Sequence, residues 1–152
     1  MNAAYVVQVG EARHGRGRGS GRKRYVGRMR PDVELRLPVD SAYVSVLRAT
    51  TVSLAARLDF TIDDIEDLRM AVGEACAMVL PSATEGTDLT CSFFMKSGEV
   101  TITITVPSTL TELPEEDGFA WQVLSALTTH AELTSSDGVL AVTMTMHSTV
   151  AV

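Results

Sequence analysis

A chain of 152 residues, 45% hydrophobic and 21% charged, is long enough to bury one core without disulfides or structural metal, and it has no run of roughly 20 apolar residues that would span a bilayer. Its net charge of −6 conceals two opposed parts: residues 1–30 hold eight of the 13 Lys and Arg against Glu11 alone (+7), while the remainder holds five against 18 acidic residues (−13). These totals argue against a membrane protein, and the start of the sequence, apolar residues and then arginines, is the reverse of a secretory signal, in which the charges come first; a cytoplasmic location is expected.

Residues 10–30, GEARHGRGRGSGRKRYVGRMR, mix glycine with like charge and offer almost nothing to bury. Ordering them would not repay the backbone entropy, so residues 1–30 are expected to form a disordered basic arm, with one folded domain over 31–152. Arginine-glycine segments also contact nucleic acid through phosphates, which makes weak nucleic-acid binding by the arm one expectation and a solubilising tail the other.

In the folded part, VELRLPV (residues 33–39) alternates with the period of a half-buried strand. Asp40 or Ser41 can cap the next helix, whose apolar stripe is Val44, Leu47, Thr51, Leu54 and Leu58. Thr61 and Asp64 form a capping box for a second helix carrying Ile65, Leu68, Val72, Ala75, Cys76 and Val79, which Pro81 closes. Two strands follow, 88–96 and 99–106, joined by Ser97-Gly98. After the acidic loop PSTLTELPEEDG comes a third helix, FAWQVLSALTTH, and a last hairpin that runs from Ala131 to Thr134, turns through SSDG and returns as GVLAVTMTMH. The order predicts an α+β two-layer sandwich: a mostly antiparallel five-stranded sheet with three helices on one face and a polar opposite face lined by Thr101, Thr103 and Thr105. Cys76 and Cys91 lack partners at metal-ligand spacing, so reduced core thiols and no metal site are expected.

The segment IEDLRMAVGEACAMVL resembles the second helix of the RsbW-type serine-kinase anti-sigma factors, members of the histidine-kinase, gyrase and heat-shock-protein ATPase superfamily. VLRATTVSLAARLDFT resembles their first helix, GFAWQVLSALTTHAEL the helix after their last glycine box, and GVLAVTMTM their final strand, so the resemblance covers residues 31–147. It implies a histidine-kinase-like ATPase fold, a sigma factor and an anti-anti-sigma factor as partners, and a homodimer.

The resemblance also locates departures from the family pattern. Active members carry Glu-x-x-x-Asn on the second helix, the glutamate serving as base and the asparagine holding Mg²⁺; here the positions are Glu74 and Met78, and a thioether cannot replace an amide oxygen on a hard cation. At the Asp-x-Gly-x-Gly box this chain reads VPSTLTELP, with Ser108 near the aspartate position. The last glycine box is reduced to Gly118-Phe119-Ala120-Trp121, after Glu115, Glu116 and Asp117, whose carboxylates would repel a triphosphate. The expectation is therefore no catalytic residue, a vestigial site of Glu74, Met78, Ser108, Gly118 and Ala120, and no cofactor, with ATP and Mg²⁺ binding only if the altered boxes retain it. Arg48 keeps the family's spacing to Leu58-Asp59, and the resemblance implies partner contact by Arg48 with its helix neighbours Val44 and Thr51. An anti-sigma factor without kinase activity is the first expectation, an active serine kinase the second, and a nucleic-acid-binding protein the third.

Overall fold

The computed structural model describes residues 7–9, 30–110, 113 and 118–150. The elements follow in the expected order: β2 (Val33–Pro38), α1 (Val44–Ala55), α2 (Ile62–Val79), β3 (Asp88–Lys96), β4 (Glu99–Pro107), α3 (Phe119–Leu127), β5 (His130–Ser136) and β6 (Val139–His147). A short strand, β1 (Val7–Val9), precedes them within the segment expected to be disordered, and makes the sheet six-stranded rather than five-stranded, in the order β1-β2-β3-β4-β6-β5. Its pairing, Val9 opposite Val33 and Val7 opposite Leu35, satisfies backbone groups that the outer edge of β2 would otherwise expose. The glycine-arginine segment itself lies outside the described residues.

Every neighbouring pair of strands is antiparallel. The β3–β4 hairpin turns through Ser97-Gly98 with Gly98 at φ 71°, and the β5–β6 hairpin turns through Asp137 (φ 52°) and Gly138 (φ 76°), the left-handed pair that a two-residue turn with matching twist requires. Alternation sets which face is buried. Val33, Leu35 and Leu37, Leu89, Cys91 and Phe93, Val100, Ile102, Ile104 and Val106, and Leu140, Val142, Met144 and Met146 point into one core. On the opposite face the β4 and β6 threonines pair across the strands, Thr101 with Thr145 and Thr103 with Thr143, each at 3.1 Å, so their hydroxyls satisfy one another.

The helices cover the apolar face, with α2 between α1 and α3. The innermost residues of α1 are Leu47, Thr51 and Ala55, one residue per turn, with Val44, Leu54 and Leu58 only partly buried beside them. The expected capping box of α2 is present: Thr61 Oγ1 accepts from the Asp64 N–H at 3.0 Å, and the Asp64 carboxylate accepts from the Thr61 N–H at 3.1 Å. At its far end Pro81 sits in a single 3₁₀ turn, Leu80–Ser82, because proline cannot continue the α-helical ladder. In α3 only Leu124 is fully buried, while Trp121 and Leu127 pack on the core from its margin.

Candidate functional site

The chemistry expected of this fold falls on α2. Glu74 and Met78 are one turn apart and share a side of the helix, as their spacing requires. Their environments differ: Glu74 is half-buried, whereas Met78 is 8% exposed and belongs to the hydrophobic core. A thioether turned into the core supplies no oxygen for a hard cation. Among the described residues no group of three or more His, Cys, Asp and Glu side chains stands ready to hold a metal ion.

Ser108 lies just beyond β4 and is buried. Its N–H donates to the Gly138 carbonyl at 2.9 Å and its hydroxyl accepts the Leu110 N–H at 3.2 Å, so the side chain closes a local turn that ties the end of β4 to the β5–β6 hairpin. A hydroxyl used in this way is a poor substitute for the carboxylate that would take an adenine amino group. Gly118 is the N-cap of α3, in extended conformation (φ −66°, ψ 157°) and with no side-chain cap; Ala120 and Trp121 are half-buried and Phe119 points to solvent. Glu115, Glu116 and Asp117 lie outside the described residues. At the positions where the resemblance places the metal ligand, the adenine carboxylate and the second glycine of the phosphate cradle, the chain carries Met78, Ser108 and Ala120, and none of these side chains supplies the oxygen, the carboxylate or the bare backbone that Mg-ATP would need there.

The three α1 residues expected to meet a partner have different surroundings. Thr51 is 1% exposed, and its hydroxyl donates to the Leu47 carbonyl at 2.8 Å. That corrects the expectation: position 51 falls on the inner stripe of the helix, where a buried hydroxyl is satisfied within its own turn and no partner can reach it. Val44 is partly buried and lines a small apolar recess with Tyr43, Leu47, Cys76 and Leu80. Arg48 alone offers polar atoms. The residue is half-buried, its guanidinium lies against α2 at Gly73, and no ion pair involves it among the described residues.

Two features of the site were not singled out by the sequence patterns. Gly73 sits buried in the middle of α2, where glycine costs about 1 kcal/mol relative to alanine; a lone glycine inside a helical pattern is itself the signal that something approaches closely. The second is Thr149, beyond the last strand, which reaches back to Asp64 at the start of α2. No local pattern announces a contact spanning 85 positions. Burial works to raise the Asp64 pKa, but hydrogen bonds from the backbone and side chain of Thr149 and of Thr61 outweigh it, and the carboxyl is held below its usual value.

Both cysteines are buried and free, as expected. Burial pushes the Cys76 thiol up to about 12, with the Arg48 guanidinium pulling the other way, and burial together with the neighbouring Cys76 pushes Cys91 well above the ordinary range. Neither is a nucleophile at neutral pH.

The chain is similar to proteins named serine-protein kinase RsbW: 39% identical over 74 residues to that of Halalkalibacterium halodurans, covering 48% of this chain and 46% of the relative, and 41% identical over 51 residues to that of Bacillus velezensis, covering 34% and 32%. The matched stretches thus span less than half the length of these relatives. A crystal structure of the RsbU and RsbW domains of a Mycobacterium tuberculosis protein matches 75% of this chain and 31% of that one with a TM-score of 0.54 at 19% identity, a likeness of fold alone. No protein-family model matches the chain. Together the sequence relatives and the shared architecture support the RsbW-type resemblance.

Proposed function

We propose that this chain, a relative of the RsbW-type serine-protein kinases, is an anti-sigma factor that works by binding: it holds a sigma factor of the stress or developmental class away from polymerase and promoter, without phosphoryl transfer. The single observation that carries the reading is Met78, a core-buried thioether one turn from Glu74, where Mg²⁺ chemistry needs an oxygen. With that ligand replaced, protein binding is the activity that the fold retains. Arg48 supplies a guanidinium suited to a partner's carboxylate, and an anti-anti-sigma protein competing for the same helix would release the sigma factor. The acidic body favours encounter with the basic DNA-binding surfaces of a sigma factor. A homodimer belongs to the same reading.

The test is a pull-down with the full-length chain against every sigma factor of its host. Recovery of one, weakened by Arg48→Ala, is the expected result; recovery of none overturns the reading.

A second reading, an active serine kinase acting on an anti-anti-sigma protein, is favoured by the names of the relatives and by the half-exposed carboxylate of Glu74. Transfer of labelled phosphate from ATP to such a protein, lost in Glu74→Ala, would replace the first reading with this one.

A further inference from the structure

A Cβ built on Gly73 would stand 2.9 Å from Arg48 Nε and 3.0 Å from Arg48 Cζ, with Nη2 closer still. Real Cβ atoms essentially never come so near, so any other residue at 73 must displace the guanidinium. The three nearest heavy atoms all belong to Arg48. Arg48 is therefore the first group that a side chain at 73 would meet, at a helix-interior position that propensity would give to alanine. Arg48 is half-buried yet its guanidinium keeps N–H groups within reach of solvent, since among the described residues no buried side-chain nitrogen or oxygen is left without a partner and no ion pair involves Arg48.

We propose that Gly73 is a positioning residue for partner binding: by lacking a side chain it lets the Arg48 guanidinium lie against α2, held as a planar fork whose open N–H edge takes a carboxylate of the partner protein. The proposal rests on the anti-sigma reading above, in which Arg48 makes the contact. An arginine already laid in its seat loses less rotamer freedom on binding than one that must be drawn from solvent, and its planar fork meets a carboxylate bidentately, which a lysine cannot do. Position 73 thus acts through Arg48 and touches no partner itself.

The test has one arm that needs no partner and one that does. In the free protein, the Arg48 Nε–H resonance should be resolved and should shift on titration with sodium acetate but not with sodium chloride at equal ionic strength. In Gly73→Ala it should move to the position of solvent-exposed arginines and lose the acetate response. Against the sigma factor recovered by pull-down, Gly73→Ala and Arg48→Ala should each weaken binding about tenfold, with the double variant no weaker than Arg48→Ala alone, because both act through one group. Arg48→Lys should bind like Arg48→Ala. If Gly73→Ala lowers the Tm, the double variant should restore it; failure to do so would mean that the added methyl strikes something other than Arg48, and would overturn the seat. An unmoved Arg48 resonance, or wild-type sigma affinity in Gly73→Ala, would overturn it too. If the wild type binds no sigma factor, the anti-sigma reading falls, and the acetate arm still decides whether Gly73 seats a carboxylate-binding arginine.

Discussion

Thr149 closes on Asp64 from the far end of the chain: its Oγ1 lies 2.8 Å from Asp64 Oδ1 and 3.0 Å from Oδ2, and its N–H donates to Oδ2 at 3.1 Å. One carboxylate therefore caps α2, through Thr61, and fastens the segment after β6. Its pKa is held below the 3.8 of a free aspartate by those hydrogen bonds, against the opposing effect of burial. The folded state therefore binds a proton less readily than the unfolded state, and the stabilisation is fully present above the unfolded pKa and lost as pH falls through the folded one. Asp64→Ala should cost about 1–3 kcal/mol at pH 7, and the gap from wild type should narrow as pH drops below about 4. Urea unfolding at a series of pH values measures it; a gap independent of pH would show that the carboxylate charge contributes nothing.

The thiols give a second prediction. With its pKa near 12, Cys76 is thiolate in only about one molecule in 10⁵ at pH 7, and burial holds Cys91 well above the ordinary thiol range as well. The native chain should show no fast-reacting thiol towards an aromatic disulfide reagent, and two once unfolded in guanidinium chloride. Rapid native reaction of either would mean that the helix layer opens far more readily than its packing implies.

Thr51 and Arg48 are nearly one turn apart on α1 yet face different surroundings, and partner binding should separate them. Thr51→Val removes a buried hydroxyl bonded to its own helix at Leu47. It should change stability by roughly 1 kcal/mol in either direction and leave sigma-factor affinity unaltered. Arg48→Ala should do the reverse, lowering affinity about tenfold with little change in Tm. Isothermal titration with the recovered sigma factor and a thermal melt of each variant give both readouts. Loss of affinity in Thr51→Val would mean that the inner face of α1 takes part in the contact.

How much of this was legible in sequence depends on the range of each interaction. The capping box, the Ser97-Gly98 turn and the in-out alternation of β4 follow from neighbours along the chain, and local pattern located them; the last hairpin was placed as well, with SSDG as its turn where the two residues Asp137 and Gly138 make it. The α1 stripe faces the core along its length, and the burial of Thr51 on it rules out the partner contact that the resemblance implies for that residue. The strand Val7–Val9 was missed because three residues carry almost no periodic signal, and an open sheet edge elsewhere determines their pairing. Of the candidate site, positions 74, 78, 108 and 118 were located by the family resemblance, motif by motif. The burial of Met78, the turn made by Ser108 and the seating of Arg48 on Gly73 depend on elements brought together by the fold.

Met78 is where the proposed loss of phosphoryl chemistry is most directly tested. Calorimetry of the wild-type chain with Mg-ATP should show no heat of binding in the micromolar range, because the position one turn from Glu74 presents a buried thioether and no oxygen. Met78→Asn restores the ligand atom but places an amide among core side chains, at a cost of about 1–3 kcal/mol if its hydrogen bonds go unmet, so it should lower Tm. Nucleotide binding should not return, since Ser108, near the position where the resemblance puts the adenine-selecting carboxylate, has its hydroxyl already committed to Leu110. Met78→Leu, close in volume and equally apolar, should stay within about 1.5 kcal/mol of wild type and keep sigma-factor affinity. Micromolar binding of Mg-ATP by the wild type would overturn the reading of all three altered positions together and shift the balance to the kinase.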